Sequence, residues 1–255
     1  MLGLTLDDLD MEGVLDRLGE LITRRAPPAY VVTPNVDHVV KLQDDPEFRA
    51  VYAGADLVLC DGMPLLWASR LLRRPLKAKV SGSDLFVAFA ERAAVRGWRP
   101  FFLGGRPGAA ARAAELLAQR FPGFTVAGTY APPFGFDRDP QEDARAVEAV
   151  RAAAPDALFV GLGAPRQEKW IHRHLQALAV PVSLGVGVSF EFVSGDVQRA
   201  PRWMQRAGLE WTWRLAMEPR KLWRRYLVDD SRFLRLVARE LIKGPGIQGG
   251  ASGPG

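Results

Sequence analysis

Residues 99–120 read RPFFLGGRPGAAARAAELLAQR, and this stretch decides the fold class. Its first part, residues 99–103, is aromatic and apolar and predicts a buried β-strand. Glycines and a proline follow, and residues 107–120 are rich in Ala, Leu and Arg, which favour an α-helix. The stretch therefore predicts one strand–loop–helix unit.

The same order of elements recurs between residues 28 and 190. The strand candidates are residues 30–33, 56–60, 99–103, 125–129, 157–161 and 182–186. Helix candidates between them include residues 83–96, 107–120, 140–153 and 165–177. Alternating strands and helices imply right-handed crossovers and an α/β fold, a Rossmann-like parallel sheet flanked by helices. Such sheets bind ligands at the carboxyl ends of their strands, so the residues after each strand are the candidates for a site.

The C-terminal part of the chain has a different composition. Residues 199–243 contain twelve Lys or Arg against five Asp or Glu, and four of the seven tryptophans. Two helices are predicted, over residues 201–217 and 219–242, because Pro219 disfavours helix at the residue before it. The predicted domains are an α/β body (1–198), a basic helical C-terminal appendage (199–243) and a disordered Gly-rich tail (244–255). The charge suggests an anionic membrane surface, an anionic substrate or nucleic acid.

Composition also bounds the cellular location. The chain has one cysteine, Cys60, so a disulfide framework is excluded. Its N-terminus lacks the basic start and apolar run of a signal peptide, and no run of about 18 apolar residues occurs. A cytoplasmic protein is expected.

Asp61 directly follows the apolar run of residues 57–60 and precedes Gly62. At the carboxyl end of a strand, its carboxylate could accept a hydroxyl proton from a substrate. Alternatively, Asp61 is the N-cap of a helix over residues 63–70, a role that Asp also fills well. Thr33 and Asn35 follow the first strand and likewise fit either a site or a turn with a cap.

Two further loops carry candidate binding groups. Gly104 and Gly105 precede a helix start, where backbone N–H groups attract phosphate, although the pattern is not the glycine fingerprint of a dinucleotide site. In residues 161–170, Gln167 and Arg166 could reach a phosphate or a sugar. Glu168 and Lys169 are interpreted as a solvated helix face.

No metal or other cofactor is predicted. Asp137 and Asp139 form a D-x-D pattern, but it lies in a Pro/Gly-rich loop, and the three histidines have no ligand partners at suitable spacing. If the reaction releases a diphosphate without a metal ion, positive side chains must neutralise its charge. The candidates are Arg214, Arg220, Arg224 and Arg225, which could instead rest on anionic lipid.

Taken together, six segments resemble the WecG/TagA/CpsF family of bacterial glycosyltransferases (glycosyltransferase family 26). They are VVTPNVDHV (31–39), ADLVLCDGMPLLWASRLL (55–72), KVSGSDL (79–85), FFLGGRPG (101–108), VGLGAPRQEKWI (160–171) and VQRAPRWMQRAGLEWTWRLAMEPRKLWRRYL (197–227). The resemblance implies inverting transfer, without a bound metal, of N-acetylmannosamine, its uronate or a related sugar. The donor would be a UDP-sugar, and the acceptor a GlcNAc-type sugar on undecaprenyl diphosphate, in teichoic acid or surface polysaccharide synthesis.

The resemblance also implies roles for single residues. Asp61 would be the general base, Thr33 and Asn35 would lie near the donor, and Gln167 would contact donor or acceptor. The appendage would dock on the inner face of the plasma membrane, as in a peripheral protein, and its arginines would close over the diphosphate.

Two positions depart from the family pattern. Lys79 stands where the family commonly has Arg, and Glu191 stands where it usually has Asp, for which the resemblance implies a ribose contact. Gly187 lies in the same segment as Glu191. Both departures bear on donor choice. Lys79 is counted with Asp61 and Gln167 among the catalytic candidates.

Three other functions remain as alternatives. A nucleotide-dependent oxidoreductase would need a loop that matches the glycine fingerprint of a dinucleotide site. A non-catalytic membrane scaffold that binds a UDP-sugar would not need Asp61. A nucleic-acid binder is suggested by the basic segment alone, and no nucleic-acid partner is expected. The sequence is also compatible with a homo-oligomer.

Overall fold

The computed structural model describes residues 1–224 and 230–243, and its centre is one parallel sheet of six strands. The strand order is β2-β1-β6-β5-β3-β4. The strands are β1 (Ala29–Val32), β2 (Leu57–Val58), β3 (Pro100–Gly104), β4 (Gly128–Tyr130), β5 (Ala157–Gly161) and β6 (Val182–Gly185). Each strand overlaps its predicted segment, although β4 begins three residues later than predicted, and the α/β, Rossmann-like prediction is confirmed.

Helices cover both faces of this sheet. They are α1 (Met11–Arg24), α2 (Val36–Asp44), α3 (Pro46–Ala53), α4 (Met63–Leu71), α5 (Gly82–Arg96), α6 (Ala109–Arg120), α7 (Pro140–Ala153), α8 (Arg166–Leu178) and α9 (Ser189–Ser194). Local sequence explains many of their starts. Asp10, Asn35, Asp45, Ser81 and Asp139 are N-caps whose side chains accept backbone N–H groups of the first turn.

The pleat of the strands divides the core into two layers. In β3, Phe101 and Leu103 belong to one buried cluster, while Phe102 belongs to the other. Phe102 packs against Phe86 and Phe190, with ring centroids 4.9 Å and 5.3 Å away. Successive side chains of a strand point to opposite faces, so a run such as PFFLG buries residues on both sides.

The appendage has more breaks than the sequence predicted. The described helices are α10 (Arg202–Arg206), α11 (Glu210–Met217), α12 (Pro219–Arg224) and α13 (Arg232–Lys243). The break before Pro219 is confirmed, but the first predicted helix also breaks at Gly208, which has φ +70° and packs against Trp67. The second is interrupted by a turn at residues 230–231. Arg225 and the predicted disordered tail, residues 244–255, lie outside the described residues.

Helix α13 packs on the body of the protein. Phe233 and Val237 are buried on it, and Arg232 forms an ion pair with Asp44 at the end of α2. Among the helices that the structure describes, none combines the length and apolar character required to cross a bilayer.

Candidate active site

A large cleft opens at the carboxyl edge of the sheet, with a volume of about 1340 Å³. The loops after β1, β2, β3, β5 and β6 line it, and residues of α11 and α13 close its other side. Nearly all predicted site residues meet there: Thr33, Asn35, Asp61, Lys79, Gly104, Gly105, Gln167, Gly187, Glu191 and Arg214. The sheet thus gathers residues that are far apart in sequence.

Asp61 lies in this cleft just after β2, where its backbone N–H donates to the Pro34 carbonyl oxygen (2.9 Å). The N-cap of α4 is Gly62, with φ +105° and no side-chain cap, so the alternative of Asp61 as the cap is wrong. The Asp61 carboxylate forms no hydrogen bond or ion pair with any residue in the described ranges. Burial raises its pKa to about 7, although the positive charge of Lys79 opposes this shift, and Glu210 adds to it.

Lys79 lies beside Asp61 in the cleft, and Asp84 holds it from the first turn of α5. Lys79 Nζ is 3.6 Å from Asp84 Oδ2, and the Ser81 hydroxyl donates to the same oxygen (2.6 Å). Arg199 Nη1 approaches Asp84 Oδ1 at 2.6 Å. Burial raises the pKa of Asp84, but the bonds from Arg199 and Ser81 outweigh it and hold that pKa below its usual value. One carboxylate therefore fixes two cations at the cleft.

Thr33 and Asn35 occupy the loop between β1 and α2. Asn35 caps α2 by accepting the backbone N–H of His38 (3.2 Å), and it also lines the cleft. Thr33 is buried and faces the start of α5, since a Cβ at Gly82 would lie 3.5 Å from its Oγ1. Both proposed readings of Asn35, as cap and as site residue, thus coexist.

Gly104 and Gly105 bring the main chain close to the cleft. Their φ angles are +95° and +77°, and a Cβ at Gly104 would lie 2.8 Å from the Gly161 carbonyl oxygen. The Gly105 N–H donates to that same oxygen (2.8 Å), and the Arg106 N–H donates to Glu191 Oε1 (2.8 Å). These two N–H groups are therefore engaged within the protein. What the glycines contribute is a close approach of this loop to Gly161 and Phe190, since a Cβ at Gly104 or Gly105 would collide with these neighbours.

Gln167 is buried and joins two of the loops. Its Oε1 accepts the N–H groups of Gly163 (3.1 Å) and Gly187 (3.0 Å), and its Nε2 donates to Glu168 Oε1 (2.7 Å). Gly185 leaves the room for this side chain, because a Cβ there would lie 2.5 Å from Nε2. These contacts give Gln167 a positioning role in the loops that border the cleft.

The interpretation of Glu168 as part of a solvated face is wrong. Glu168 is 2% exposed, its Oε2 has no hydrogen-bond partner in the described part of the chain, and burial raises its pKa to about 7. It lies three residues before the buried Ile171, on the same stripe of α8. A spacing of three residues from an apolar helix position was the sequence pattern that indicated its burial. Lys169 does reach outward, to Asp45 and Glu47 (2.7 Å each).

Glu191 presents a buried carboxylate to the other end of the cleft. It is 6% exposed, Oε1 accepts the Arg106 N–H, and Oε2 has no hydrogen-bond partner among the residues described. A buried carboxylate oxygen without a partner is costly, and a ligand hydroxyl would satisfy it. The position fits a contact to a bound hydroxyl group.

The predicted arginines separate into two groups. Arg214 lines the cleft and forms no ion pair with a described residue. Arg220 and Arg224 are exposed and do not belong to the cleft lining. Arg166 lines the cleft but is paired with Asp137 (2.5 Å).

The D-x-D acids have structural partners, since Asp137 pairs with Arg166 and Asp139 caps α7. Each histidine contacts another side chain: His38 contacts Tyr52 (2.6 Å), His172 contacts Tyr30 (3.1 Å) and His174 contacts Asp143 (2.9 Å). Within the described ranges, no group of three His, Cys, Asp or Glu could hold a metal ion.

Three site residues were missed by the sequence reasoning: Asp84, Arg199 and Glu210. All three line the cleft or hold a residue that does. Asp84 had a local signal, because Ser81 and Asp84 have the spacing of a helix cap with an acid at its third position. Arg199 and Glu210 had none beyond their charge.

Comparison with known proteins places the chain among relatives of one kind. Residues 1–246 match the Glycosyl transferase WecG/TagA/CpsF family. A protein of Bacillus spizizenii strain W23 is 36% identical over 199 residues, covering 78% of this chain and 75% of the relative. Proteins of Bacillus subtilis strain 168 (31% identical; 84% and 81% covered) and Staphylococcus aureus strain MW2 (27%; 95% and 94%) are also similar. All three are named N-acetylglucosaminyldiphosphoundecaprenol N-acetyl-beta-D-mannosaminyltransferase.

The match extends over the sheet, the cleft and the whole appendage, and it agrees with the motifs found in the sequence. The resemblance is thereby confirmed, and with it the prediction of an enzyme that transfers a sugar. This chain belongs to the WecG/TagA/CpsF family of glycosyltransferases.

Proposed function

We propose that the enzyme transfers N-acetylmannosamine, its uronate or a related sugar from a UDP-sugar to a GlcNAc-type sugar on undecaprenyl diphosphate. The names of the relatives support the acceptor and the type of sugar. The observation that carries the proposal is Asp61, a carboxylate with a raised pKa and no protein partner among the described residues, inside a cleft that also contains cations. The product would serve teichoic acid or surface polysaccharide synthesis.

Asp61 acts as the general base in this proposal. Its carboxylate takes the proton of the acceptor hydroxyl while that oxygen attacks the anomeric carbon of the donor. The bond from the anomeric carbon to the diphosphate oxygen breaks on the opposite face, and UDP leaves with the electron pair, so the configuration inverts. A base with a pKa of about 7 is close to the optimum for proton transfer at neutral pH.

Lys79 and Arg214 neutralise the charge that develops on the diphosphate. Both line the same cleft as Asp61, and Arg214 forms no ion pair with a described residue. Guanidinium and ammonium groups held in place before the reaction stabilise a leaving group without a metal ion. The proposed mechanism therefore needs no metal ion.

Glu191 binds the donor through a hydroxyl group, for which the ribose of UDP is the candidate. Its buried Oε2 is the acceptor, and the main chain at Gly187 is open to the nucleotide, since a Cβ there would meet nothing within 4 Å. Thr33 and Asn35 border the donor sugar from the other side.

The appendage brings the enzyme to its lipid acceptor at the inner face of the plasma membrane. Arg220 and Arg224 are exposed, as are Trp203, Trp223 and Met217. Basic residues next to exposed apolar side chains are typical of helices that rest on anionic lipid. The protein would then be cytoplasmic and peripheral.

A donor screen tests the function directly. The full chain is incubated with individual UDP-sugars and a short prenyl-diphosphate-GlcNAc acceptor, and the products are identified by mass spectrometry. We expect a disaccharide product with UDP-N-acetylmannosamine or a close relative, and none with the Asp61→Asn variant. UDP binding without any product from the whole panel would favour the non-catalytic scaffold instead.

A further inference from the structure

Arg199 stands at the boundary between the α/β body and the appendage, and it contacts both. Its Nη1 lies 2.6 Å from Asp84 Oδ1 of the body, and its Nε lies 3.5 Å from Glu210 Oε1 of α11. Its guanidinium carbon also lies 5.8 Å from the centre of the Phe192 ring. The side chains of Arg199 and Glu210 are 22% and 29% exposed, so their interaction is only partly screened by solvent.

Helix α11 lies on the surface of the protein. None of its side chains is fully buried. Near Arg199, a second contact comes from Trp213, whose indole Nε1 donates to the Gln198 carbonyl oxygen (3.2 Å). Thus two polar contacts tie α11 to two adjacent residues at the boundary, Gln198 and Arg199. A short helix held in this way depends on such contacts far more than a helix of the core does.

Glu210 and Arg214 are four residues apart on α11 and therefore lie on the same face of the helix. Both line the cleft. Since Glu210 meets Arg199, the next turn of the same face places Arg214 over the cleft. The position of the Arg214 guanidinium is therefore set by the contact between Arg199 and Glu210.

We propose that Arg199 is a positioning residue that seats helix α11 on the body through Glu210, so that Arg214 is held over the leaving diphosphate. The buried Nε–H of Arg199 has no hydrogen-bond acceptor in the described residues, and Glu210 needs only a small inward shift to accept it. Asp84 anchors Arg199 to the body, and the same carboxylate also holds Lys79. One chain of alternating charges thus places both diphosphate-binding cations. This inference rests on the proposed function for the role of Arg214, but not for the seating of α11.

The test compares Glu210→Gln with Glu115→Gln, which removes the same charge from an exposed position of α6. Hydrogen–deuterium exchange of the α11 amides is measured in the free, full-length protein. We expect exchange to rise about fivefold in Glu210→Gln, the effect of losing a partly buried ion pair, and to stay unchanged in Glu115→Gln. Glu210→Asp should recover part of the protection. Unchanged α11 exchange in Glu210→Gln would overturn the proposal.

UDP affinity, measured by calorimetry, supplies the second readout. Arg214→Gln should weaken UDP binding roughly tenfold or more, and Glu210→Gln should weaken it as well. In the Arg214→Gln background, Glu210→Gln should have no further effect, because it acts through Arg214. If the double variant instead shows the product of the two single losses of UDP affinity, Glu210 acts independently of Arg214, and the positioning role is wrong.

The two proposals fail in different ways. If the wild-type protein transfers no sugar, the proposed function is wrong, while amide exchange of α11 still decides whether Arg199 and Glu210 seat the helix. If transfer is normal but amide exchange of α11 does not change in Glu210→Gln, the proposed function stands and the positioning role is wrong.

Discussion

The side-chain oxygen of Gln167 accepts the backbone N–H of Gly187 at 3.0 Å and that of Gly163 at 3.1 Å. One buried amide therefore holds the loop after β6 to the loop after β5. Both loops line the cleft, so Gln167, a catalytic candidate from its motif, also fixes the shape of the site.

We expect Gln167→Ala to lower stability and activity together. The substitution leaves the partly buried N–H groups of Gly163 and Gly187 without their acceptor, at a cost of at most about 1–3 kcal/mol each. Urea unfolding measures the loss of free energy, and kcat measures the loss of activity. A large fall in kcat with unchanged stability would mean that Gln167 acts on the substrate directly.

Asp61→Asn should abolish transfer while leaving UDP affinity nearly unchanged, because the base does not bind the nucleotide. The same substitution should raise stability at alkaline pH. The pKa of Asp61 is about 7 in the folded protein against 3.8 for an ordinary Asp, so the native state holds this proton more tightly than the unfolded state.

The stability that comes from protonated Asp61 is thus fully present below about pH 4 and is lost as the pH rises to about 7. The gain from Asp61→Asn should be absent at pH 4 and largest at pH 8, at most about 4 kcal/mol. Unfolding curves at the two pH values measure it. Equal effects at both would show that the carboxylate is not in a desolvating environment.

The pH dependence of kcat/KM reports the same group in the free enzyme. We expect the logarithm of kcat/KM to rise with a slope of one below about pH 7 and to level off above it, because the ionised base is the active form. Rates between pH 5 and 9 with a soluble acceptor provide the profile. A plateau that already begins near pH 5 would contradict a base with a raised pKa.

Removal of metal ions should leave the rate unchanged, since Lys79 and Arg214 are proposed to carry the charge of the diphosphate. The enzyme is dialysed against EDTA and assayed with and without added Mg²⁺ or Mn²⁺. A rate that collapses and is restored by one ion would show that the two cations are insufficient.

The arginines of the appendage should divide into two functional groups. Arg214→Gln should lower kcat with a soluble short-prenyl acceptor, because Arg214 lines the cleft. Arg220→Gln and Arg224→Gln should retain that activity but bind anionic vesicles more weakly, by about 1 kcal/mol for each charge removed. Vesicle sedimentation and the soluble assay separate the two effects. Equal loss of soluble activity in all three variants would contradict this division.

Much of the architecture follows from local sequence. The strand segments and the break before Pro219 depend on nearby residues, so the pattern predicted them, and the caps at Ser81 and Asp139 are equally local. The position of Asp61 at a strand end was also predictable, and the parallel topology then places it at the ligand-binding edge. The family motifs pointed to the chemistry.

The tertiary structure alone decided which charged groups meet. Asp84, Arg199 and Glu210 come from α5, the segment after α9, and α11, and their contacts depend on how these elements pack. The burial of Glu168 next to an outward-facing Lys169 likewise depends on which side of α8 meets the sheet. Propensities and caps act within one or two turns, whereas desolvation and charge pairing depend on neighbours that folding brings from elsewhere in the chain.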